Sequence, residues 1–378
     1  MTNNTGDGAT IMLWRRDLQN IVTAIRSGEF KYEEKEKARI DWNRYDEAQV
    51  NEIADMLQMI NTSVDIAFEM TRLREPKKKR LPGRPKVRTD DIAKIMLLQC
   101  YFGFSNRVAA GFLKVAAAIR FSDDFSYKTV ERGYDPDRTK PLFDEMFRLT
   151  NEWSNFDENT TSIDGTGDPT TMKVNYETKR TEQRKKKHQA GGSSVVENRM
   201  PMQDKKHDFQ YGVLSVGVHT KIIAGFSTVG SHKVGELSQA PMVVEQTVQN
   251  VPNFAVMLGD TLYANRPFCG LVTSYGAALY SLPKSNANLR ASGVPKWKRM
   301  TYELILDPQG FLNVYHDRSI SETVNSMMKR REPTPIRKRL PWRKDMEEYL
   351  KVNIHNIRQS CYLTYIAPQS TKAPLWAG

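Results

Sequence analysis

The first part of the chain carries apolar residues at the spacing of α-helices. One stripe recurs at intervals of three, four, three and four residues and consists of Val50, Ile53, Leu57, Ile60 and Val64. Residues at these intervals lie on one side of a helix, so the stripe predicts a helix with one face packed in a core. We therefore expect residues 1–75 to form an N-terminal helical region.

A second helical pattern covers residues 90–155. Three apolar segments follow one another there, at 90–101, at 106–119 and from about residue 126 onward. Their periodicity predicts a three-helix unit.

The third of these segments has the polar residues of a helix that contacts DNA. Its sequence, SYKTVERGY, would expose Lys128 and Arg132 on a short helix that follows a turn. The recognition helix of a helix-turn-helix motif is placed in this way and would make residues 90–155 a DNA-binding domain. A plain helical bundle gives the same pattern, so both interpretations stay open.

Beyond residue 160 the apolar pattern becomes that of β-strands. Short apolar or alternating runs, bounded by turn residues, occur at 161–166, 211–220, 221–230, 254–260 and 277–283. The second and third runs predict a hairpin, and residues 236–250 predict a helix. Strands followed by alternating helix and strand predict an α/β domain, which we assign to residues 156–368, with 369–378 as a C-terminal tail.

A proline-rich basic segment, residues 76–89, separates the two helical regions. Its cations include Lys77, Lys78, Lys79 and Arg84. The prolines prevent a regular helix or strand, and Gly-Arg-Pro at 83–85 with basic flanks is similar to an AT-hook, an extended arm that binds in the minor groove of DNA. The alternative interpretation is a solvated interdomain linker.

The charge of the chain favours a polyanionic partner. Fifty-six lysines and arginines exceed 44 acidic residues, which gives a net charge of +12 at pH 7 and a pI near 9.4. Such an excess neutralises nucleic-acid phosphates and releases their counterions.

The cysteines and the apolar stretches bear on the redox compartment of the protein and on whether it has a membrane-spanning helix. The three cysteines lie far apart and give neither a disulfide framework nor a zinc site, as expected in a reducing cytosol. The longest apolar stretch, 95–119, contains Arg107 and Lys114. Because charges are costly inside a bilayer, we expect buried helices there and no membrane partner.

Two aspartates follow predicted strands of the α/β domain. Asp164 comes after a short apolar run and is followed by Gly165, and Asp260 comes after another such run. Ligand sites in α/β sheets form at the carboxyl ends of strands, so the two carboxylates would converge if the strands are neighbours. Their oxygens are suited to Mg²⁺ or Mn²⁺. The alternative role for Asp164 is to cap a turn.

A third acidic residue lies in a segment whose polar residues have helical spacing. Tyr315, Arg318, Glu322 and Lys329 are separated by three, four and seven residues. On an α-helix the last three share one face, which would present a carboxylate between two cations, as needed to bind a metal ion and a phosphate. The alternative is a capping box at Ser319-x-x-Glu322, in which the carboxylate accepts a backbone N–H.

The spacing resembles the Tyr-x-x-Arg-x-x-x-Glu-x-x-x-x-x-x-Lys signature of a large group of DDE-type transposases encoded by prokaryotic insertion sequences. Four further motifs are similar to that family: SIDGT at 162–166, LGDTLYA at 258–264, LPKSN at 282–286 and EEYLKVNIHNIR at 347–358. The resemblance covers about 160–368, with a looser match of 83–107 to the N-terminal helical region. The basic run 179–194 departs from the family pattern.

The resemblance implies an RNase H-like catalytic domain, a mixed sheet with flanking helices, preceded by an all-helical DNA-binding region. It implies that Asp164, Asp260 and Glu322 bind two Mg²⁺ (or Mn²⁺) ions and catalyse nicking at element ends, followed by strand transfer into target DNA. Arg318 and Lys329 would orient the scissile phosphate and stabilise its charge. Tyr315 would contact the DNA end by stacking or by a phosphate hydrogen bond.

Under this interpretation the partner is double-stranded DNA, as element ends and as target. The protein would act as a homodimer or higher oligomer in the DNA complex, in the cytoplasm of a prokaryote and associated with the nucleoid. Two alternatives remain: an RNase H-like nuclease without strand transfer, which uses the same ions, and a non-catalytic DNA-binding protein derived from a transposase. The presence of all three acids argues against the second alternative.

Overall fold

The computed structural model describes residues 3–4, 10–11, 15–36, 39–74, 87–114, 119, 121, 125–173, 207–229, 235–289, 294–332 and 335–367. Most of the proline-rich basic segment lies outside the described residues, and so do the basic run 179–194 and the tail 369–378. The predicted arm cations Lys77, Lys78, Lys79 and Arg84 are among the residues that are not described.

Helices make up most of the regular structure among the described residues. They are α1 (Arg15–Ser27), α2 (Trp42–Arg74), α3 (Thr89–Phe102), α4 (Asn106–Phe112), α5 (Tyr127–Gly133), α6 (Pro136–Ser154), α7 (Glu236–Asn250), α8 (Arg266–Ser274), α9 (Pro295–Leu306), α10 (Pro308–Tyr315), α11 (Ser319–Arg331) and α12 (Pro341–Ile366). A 3₁₀ turn, His316–Arg318, joins α10 to α11.

The strands are β1 (Asn3–Asn4), β2 (Thr10–Ile11), β3 (Thr160–Lys173), β4 (His207–Gly217), β5 (Ile223–Val229), β6 (Val256–Gly259) and β7 (Ala278–Ser281). β1 and β2 form a short antiparallel pair. The other five form one mixed sheet in the order β5-β4-β3-β6-β7. The predicted strands, the hairpin and the helix at 236–250 are confirmed, and the α/β class with them.

The strand directions divide the sheet at β3. This strand is antiparallel to β4, which is antiparallel to β5, whereas β3 with β6 and β6 with β7 are parallel pairs. The parallel pairs are connected through helices, as parallel strands require. Helices α7 to α10 bury their apolar sides against the sheet, and Leu18 and Val22 of α1 join the same core.

A second apolar core lies among α2, α3, α6 and α12. Helix α3 is buried along most of its length, because its apolar residues lie all around the helix rather than on one stripe. Leu350, Ile354 and Ile357 of α12 pack in this core. The predicted domain boundaries at 75 and 155 therefore do not coincide with the packing, since α1 belongs to the sheet core and α12 completes the helical one.

Two helix predictions differ from the structure, one in how much of the predicted apolar stripe is buried and the other in the length of the helix. In the predicted stripe of α2, Ile60 and Val64 are fully buried, but Val50 is 84% exposed and Ile53 is 55% exposed. A helix of 33 residues is about 50 Å long, and the buried side chains of α2 concentrate in its second half, where it packs on the helical core. The helix predicted over 106–119 ends at Phe112.

No helix among the described residues is both long and apolar enough to cross a bilayer.

A buried ionic network ties α2, α11 and α12 together. The guanidinium of Arg358 donates to Glu332, just after α11, and to Glu52 of α2 at 3.2 Å. The side chain of Arg358 is 8% exposed and that of Glu332 is fully buried. Burial raises the pKa of Glu332 to about 7, while Arg358 opposes the shift. The arginine therefore holds a carboxylate where water cannot solvate it.

We predict that Arg358→Met lowers the free energy of unfolding by about 3–5 kcal/mol, because it leaves the buried Glu332 carboxylate without its partner. Urea denaturation at pH 8 followed by circular dichroism measures this loss. Glu332→Gln added to Arg358→Met should recover part of it, because the unpaired charge is removed.

The matched control is Arg299→Met, which breaks an ion pair with Glu303 whose side chains are 71% and 38% exposed. Exposed pairs contribute about 0–1 kcal/mol, so this variant should unfold close to wild type. Similar losses in Arg299→Met and Arg358→Met would show that burial of the network is not what stabilises the fold.

Candidate active site

The pairing of β3 with β6 brings the two predicted aspartates side by side. Ile163 lies opposite Gly259 in the last parallel pair, and Asp164 and Asp260 are the next residue on each strand. Neighbouring strands are about 4.8 Å apart, so the two backbones stay close at this level. Asp164 does not end its strand as predicted, since β3 continues along β4. It lies where β6 ends.

The first turns of helix α11 pack against the face of β3 from which the Asp164 side chain projects. Side chains alternate along a strand, so Ser162 and Asp164 point to the same side. The Ser162 hydroxyl donates to the Arg318 carbonyl oxygen at 2.9 Å, and the Ser321 hydroxyl donates to the same oxygen at 2.9 Å. One turn further along, Asn325 Nδ2 donates to Asp164 Oδ2 at 3.2 Å. These contacts fix the helix over the carboxylate.

Glu322 lies in the first turn of α11 and pairs with Arg318. Arg318 Nη1 donates to Glu322 Oε1 at 2.8 Å, and the two side chains are 33% and 58% exposed. The capping box does not form: Arg318 occupies the N-cap position without a side-chain cap, and Ser319 is the first residue of the helix. Lys329 is exposed two turns further along.

Burial of its ring rules out the stacking predicted for Tyr315, and the phosphate hydrogen bond given as its other contact with the DNA end stays a prediction. Tyr315 belongs to α10, before the 3₁₀ turn, and its ring is 8% exposed within the sheet core, stacked at 6.2 Å on Phe311. A ring in this environment is not accessible for stacking on a base. The guanidinium of Arg318 lies 5.5 Å from the centre of the Tyr315 ring, and the two groups form a cation–π contact.

The structure adds Glu236 to the predicted acids. It lies in the first turn of α7, and its carboxyl carbon is so close to Gly165 that a Cβ at that position would lie 2.3 Å away. Glycine is therefore needed next to Asp164 to make room for a second carboxylate. The sequence offered no spacing rule that relates residue 236 to residue 164, and Asn325 was missed for the same reason.

Burial and the neighbouring acids raise the pKa values of Asp164 and Glu236. Burial raises the pKa of Asp164 to about 6, and the charges of Glu236, Asp260 and Glu322 act in the same direction, against a backbone hydrogen bond at Gly165. Burial and the charge of Asp260 also raise the pKa of Glu236. The site thus concentrates negative charge that a cation would stabilise.

The donor chemistry fits a hard divalent cation, because carboxylate oxygens line the site. Within the described residues, however, no three or more His, Cys, Asp or Glu side chains are grouped closely enough to hold a metal ion. In this conformation Glu322 is directed to Arg318. Binding a metal with the predicted triad would therefore require Glu322 to exchange this partner for the ion.

Lys128 and Arg132 lie away from the carboxylates, in the helical part of the structure. Both side chains are exposed on α5, which is seven residues long and contacts α3, α4 and α6. Glu131, between them, pairs with Arg343 of α12 at 2.9 Å. This arrangement is compatible both with a recognition helix that contacts DNA and with a plain helical bundle.

We predict that Asp164→Asn makes the metal-free protein more stable at pH 8 than wild type, by about 1–2 kcal/mol, but not at pH 4. The folded-state pKa of Asp164 is raised, so wild-type stability falls as pH rises from about 4 through 6, where the carboxyl ionises in the folded state. The amide cannot ionise. The magnitude is reduced because the group is partly solvated. Urea denaturation in EDTA at the two pH values measures the difference.

Asp157→Asn, at an exposed position just before β3, is the control and should change stability little at either pH. An Asp164→Asn variant that is no more stable than wild type at pH 8 would mean that neither burial nor the neighbouring acids destabilise the ionised Asp164 carboxyl in the folded protein.

Comparison with known proteins adds no relative at the sequence level: no protein-family model matches the chain, and no curated protein matches it.

Proposed function

We propose that the protein is a DDE-type transposase of the Tyr-Arg-Glu-Lys group, which cleaves double-stranded DNA at element ends and joins the ends to target DNA. The observation that carries the proposal is the parallel pairing of β3 with β6, which puts Asp164 beside Asp260 under the helix that holds Glu322. The mixed five-stranded sheet with flanking helices is compatible with an RNase H-like catalytic domain.

The carboxylates differ in how firmly they are held. Asp164 is positioned by its strand and by the Asn325 amide, and Asp260 accepts the Leu262 N–H at 2.8 Å. Glu322 is exposed and held by Arg318 alone among the described residues. Two Mg²⁺ or Mn²⁺ ions bound by these groups would supply the charge that activates an attacking hydroxyl and stabilises a leaving oxygen.

Arg318 is the residue best placed to bind the scissile phosphate. Its backbone oxygen is fixed by two serine hydroxyls, and its guanidinium lies between the Tyr315 ring and the Glu322 carboxylate. If Glu322 were to bind a metal ion, the guanidinium of Arg318 would be free to bind a phosphate oxygen, for which its planar fork is suited. In this structure the guanidinium is paired with Glu322.

We predict that Asp164→Asn, Asp260→Asn and Glu322→Gln each reduce Mg²⁺-dependent cleavage by more than about 100-fold and leave DNA binding nearly unchanged. Each substitution removes the charge of a direct ligand and keeps its size, whereas residues that only support a ligand contribute about 10–100-fold. The measurement is nicking of a supercoiled plasmid that carries the reading frame with its flanking DNA, alongside binding to the linear flanks.

Glu236→Gln is the matched comparison, because Glu236 lies as close to Asp164 but is outside the predicted triad. It should fall in the 10–100-fold range of a supporting residue. Loss of cleavage in Glu236→Gln with retention in Glu322→Gln would transfer the third ligand role to Glu236 and contradict the Tyr-Arg-Glu-Lys assignment. Products joined to a second plasmid distinguish a transposase from a nuclease that only cuts.

We predict that Arg318→Ala lowers the cleavage rate of bound DNA by about 10²–10³-fold, with a smaller effect on affinity. A contact that strengthens as charge develops on the phosphate acts on the rate rather than on binding. Single-turnover cleavage of pre-bound DNA separates the two quantities. Arg318→Lys should restore part of the rate, because a point charge replaces a bidentate fork.

Lys329→Ala is the companion variant on the same helix, and the exposed position of Lys329 leads us to expect a smaller loss of rate than for Arg318→Ala. If Arg318→Ala weakens binding while the bound-state rate stays at the wild-type level, Arg318 is a docking cation and has no part in the chemistry.

A further inference from the structure

A basic groove lies between α3, α4 and α5 and the segment that leads into α12. Its volume is about 600 Å³, and its lining includes Arg107 of α4 and the consecutive residues Arg337, Lys338 and Arg339. The segment contacts β3 at Thr170. This contact is roughly 20 Å along the strand from Asp164 at about 3.3 Å per residue, so the groove is distinct from the carboxylate site.

The segment presents two of its cations outward. Ile336 is fully buried and Lys338 is half-buried, whereas Arg337 and Arg339 are exposed. This alternation is that of an extended chain, in which side chains two residues apart point the same way at a spacing of about 6.7 Å. Each phosphate step along one strand of DNA advances about 3.4 Å along the helix axis, so phosphates two steps apart are separated by a similar distance along that axis.

The backbone of the segment is held on both sides. Ile336 exchanges two hydrogen bonds with the backbone of β3, at 2.8 and 2.9 Å. The Glu347 carboxylate accepts the backbone N–H groups of Arg337 and Lys338 at distances between 2.9 and 3.1 Å. A segment that is already ordered loses little conformational entropy when it binds a ligand.

The two acids of the groove, Glu131 and Glu347, offset only part of the charge of these cations. Glu131 pairs with Arg343, and both oxygens of Glu347 accept backbone N–H groups. Among the described residues, none forms an ion pair with Arg107, Arg337, Lys338 or Arg339. The groove therefore carries a net positive charge in the part of the chain that the structure describes.

Aromatic rings and neutral oxygens hold the cations instead. The guanidinium of Arg107 lies 5.3 Å from the centre of the Tyr127 ring. Lys338 Nζ lies 3.7 Å from the centre of the Tyr134 ring and donates to Asn106 Oδ1 at 2.9 Å. These partners orient the charges without cancelling them.

Lys338 is the half-buried cation of the segment. Burial lowers its pKa to about 8, the charges of Glu347 and Glu131 raise it, and Arg343 and Arg337 lower it to a smaller extent. Bringing an anion into the groove would stabilise the charged form of this lysine.

We propose that this groove binds the phosphodiester backbone of double-stranded DNA, as a contact surface separate from the carboxylate site. The exposed side chains of Arg337, which also donates to the Gly103 carbonyl oxygen at 2.9 Å, and Arg339 lie about two phosphate steps apart, and this spacing fits a polymer better than a single free phosphate. The exposed Lys128 and Arg132 of neighbouring α5 extend the surface. The inference rests on the proposed function only in taking duplex DNA as the partner.

The test is binding of the full-length chain to a fluorescent 25-base-pair duplex, without divalent ions, between 50 and 200 mM salt. Arg337→Gln with Arg339→Gln should flatten the slope of log affinity against log salt by about 1.8, because each lost phosphate contact contributes about 0.9. At 150 mM salt this corresponds to a loss of affinity on the order of 30-fold. Arg107→Gln, on α4, should flatten the slope by about half as much.

The control pair is Lys296→Gln with Lys298→Gln on α9, which removes the same charge from the sheet side of the molecule. An unchanged slope in the arginine variants, or an equal change in the control pair, would overturn the proposal. So would displacement of the duplex by 10 mM inorganic phosphate at constant ionic strength. This experiment measures binding and not cleavage, so it tests the groove independently of the proposed transposase activity. A chain that binds DNA through the groove but does not cut it would contradict the proposed function and leave the groove proposal intact.

Discussion

Strand β3 is the element on which the rest of the structure depends. It pairs with β4 along most of its length but with β6 only over its first four residues, Thr160 to Ile163. Where the pairing with β6 stops, Asp164 and Asp260 are the next residues on the two strands, and α11 packs over Asp164 through Asn325. Further along, Asp168 binds Lys351 of α12 and Thr170 bridges Ile336. One strand thus sets the position of the carboxylates, the C-terminal helix and the basic groove.

The second constraint is the burial of charge in α12. Its Lys351 and Arg358 are almost inaccessible to water and pair with acids from β3 and from the end of α11. Buried pairs contribute little net stability compared with apolar packing, but they fix the partners that must meet. In this protein they fix the helical core against the sheet. The carboxylate site and the groove therefore lie on one connected framework.

Much of the sheet was predictable, because alternating and apolar runs between turn residues determine strands and their faces. The convergence of Asp164 and Asp260 followed from the rule that sites form at strand ends. Glu236 could not be found in this way, since its contact with Gly165 depends on how α7 packs over the sheet. Burial of Tyr315 was missed because helical spacing alone does not tell which face of a segment meets the core. The separation of the two cores also depends on contacts between residues far apart in sequence.

The position of α12 has a consequence for synthesis of the chain. Helices α2, α3 and α6 are made early, yet the apolar sides that they share with α12 stay uncovered until residues 341–366 have left the ribosome. A domain whose residues are contiguous in sequence can fold as soon as it has been synthesised, but this helical core also needs α12, which is synthesised after the sheet. Until α12 has been made, the partly folded chain exposes apolar surface of the kind through which incomplete chains aggregate.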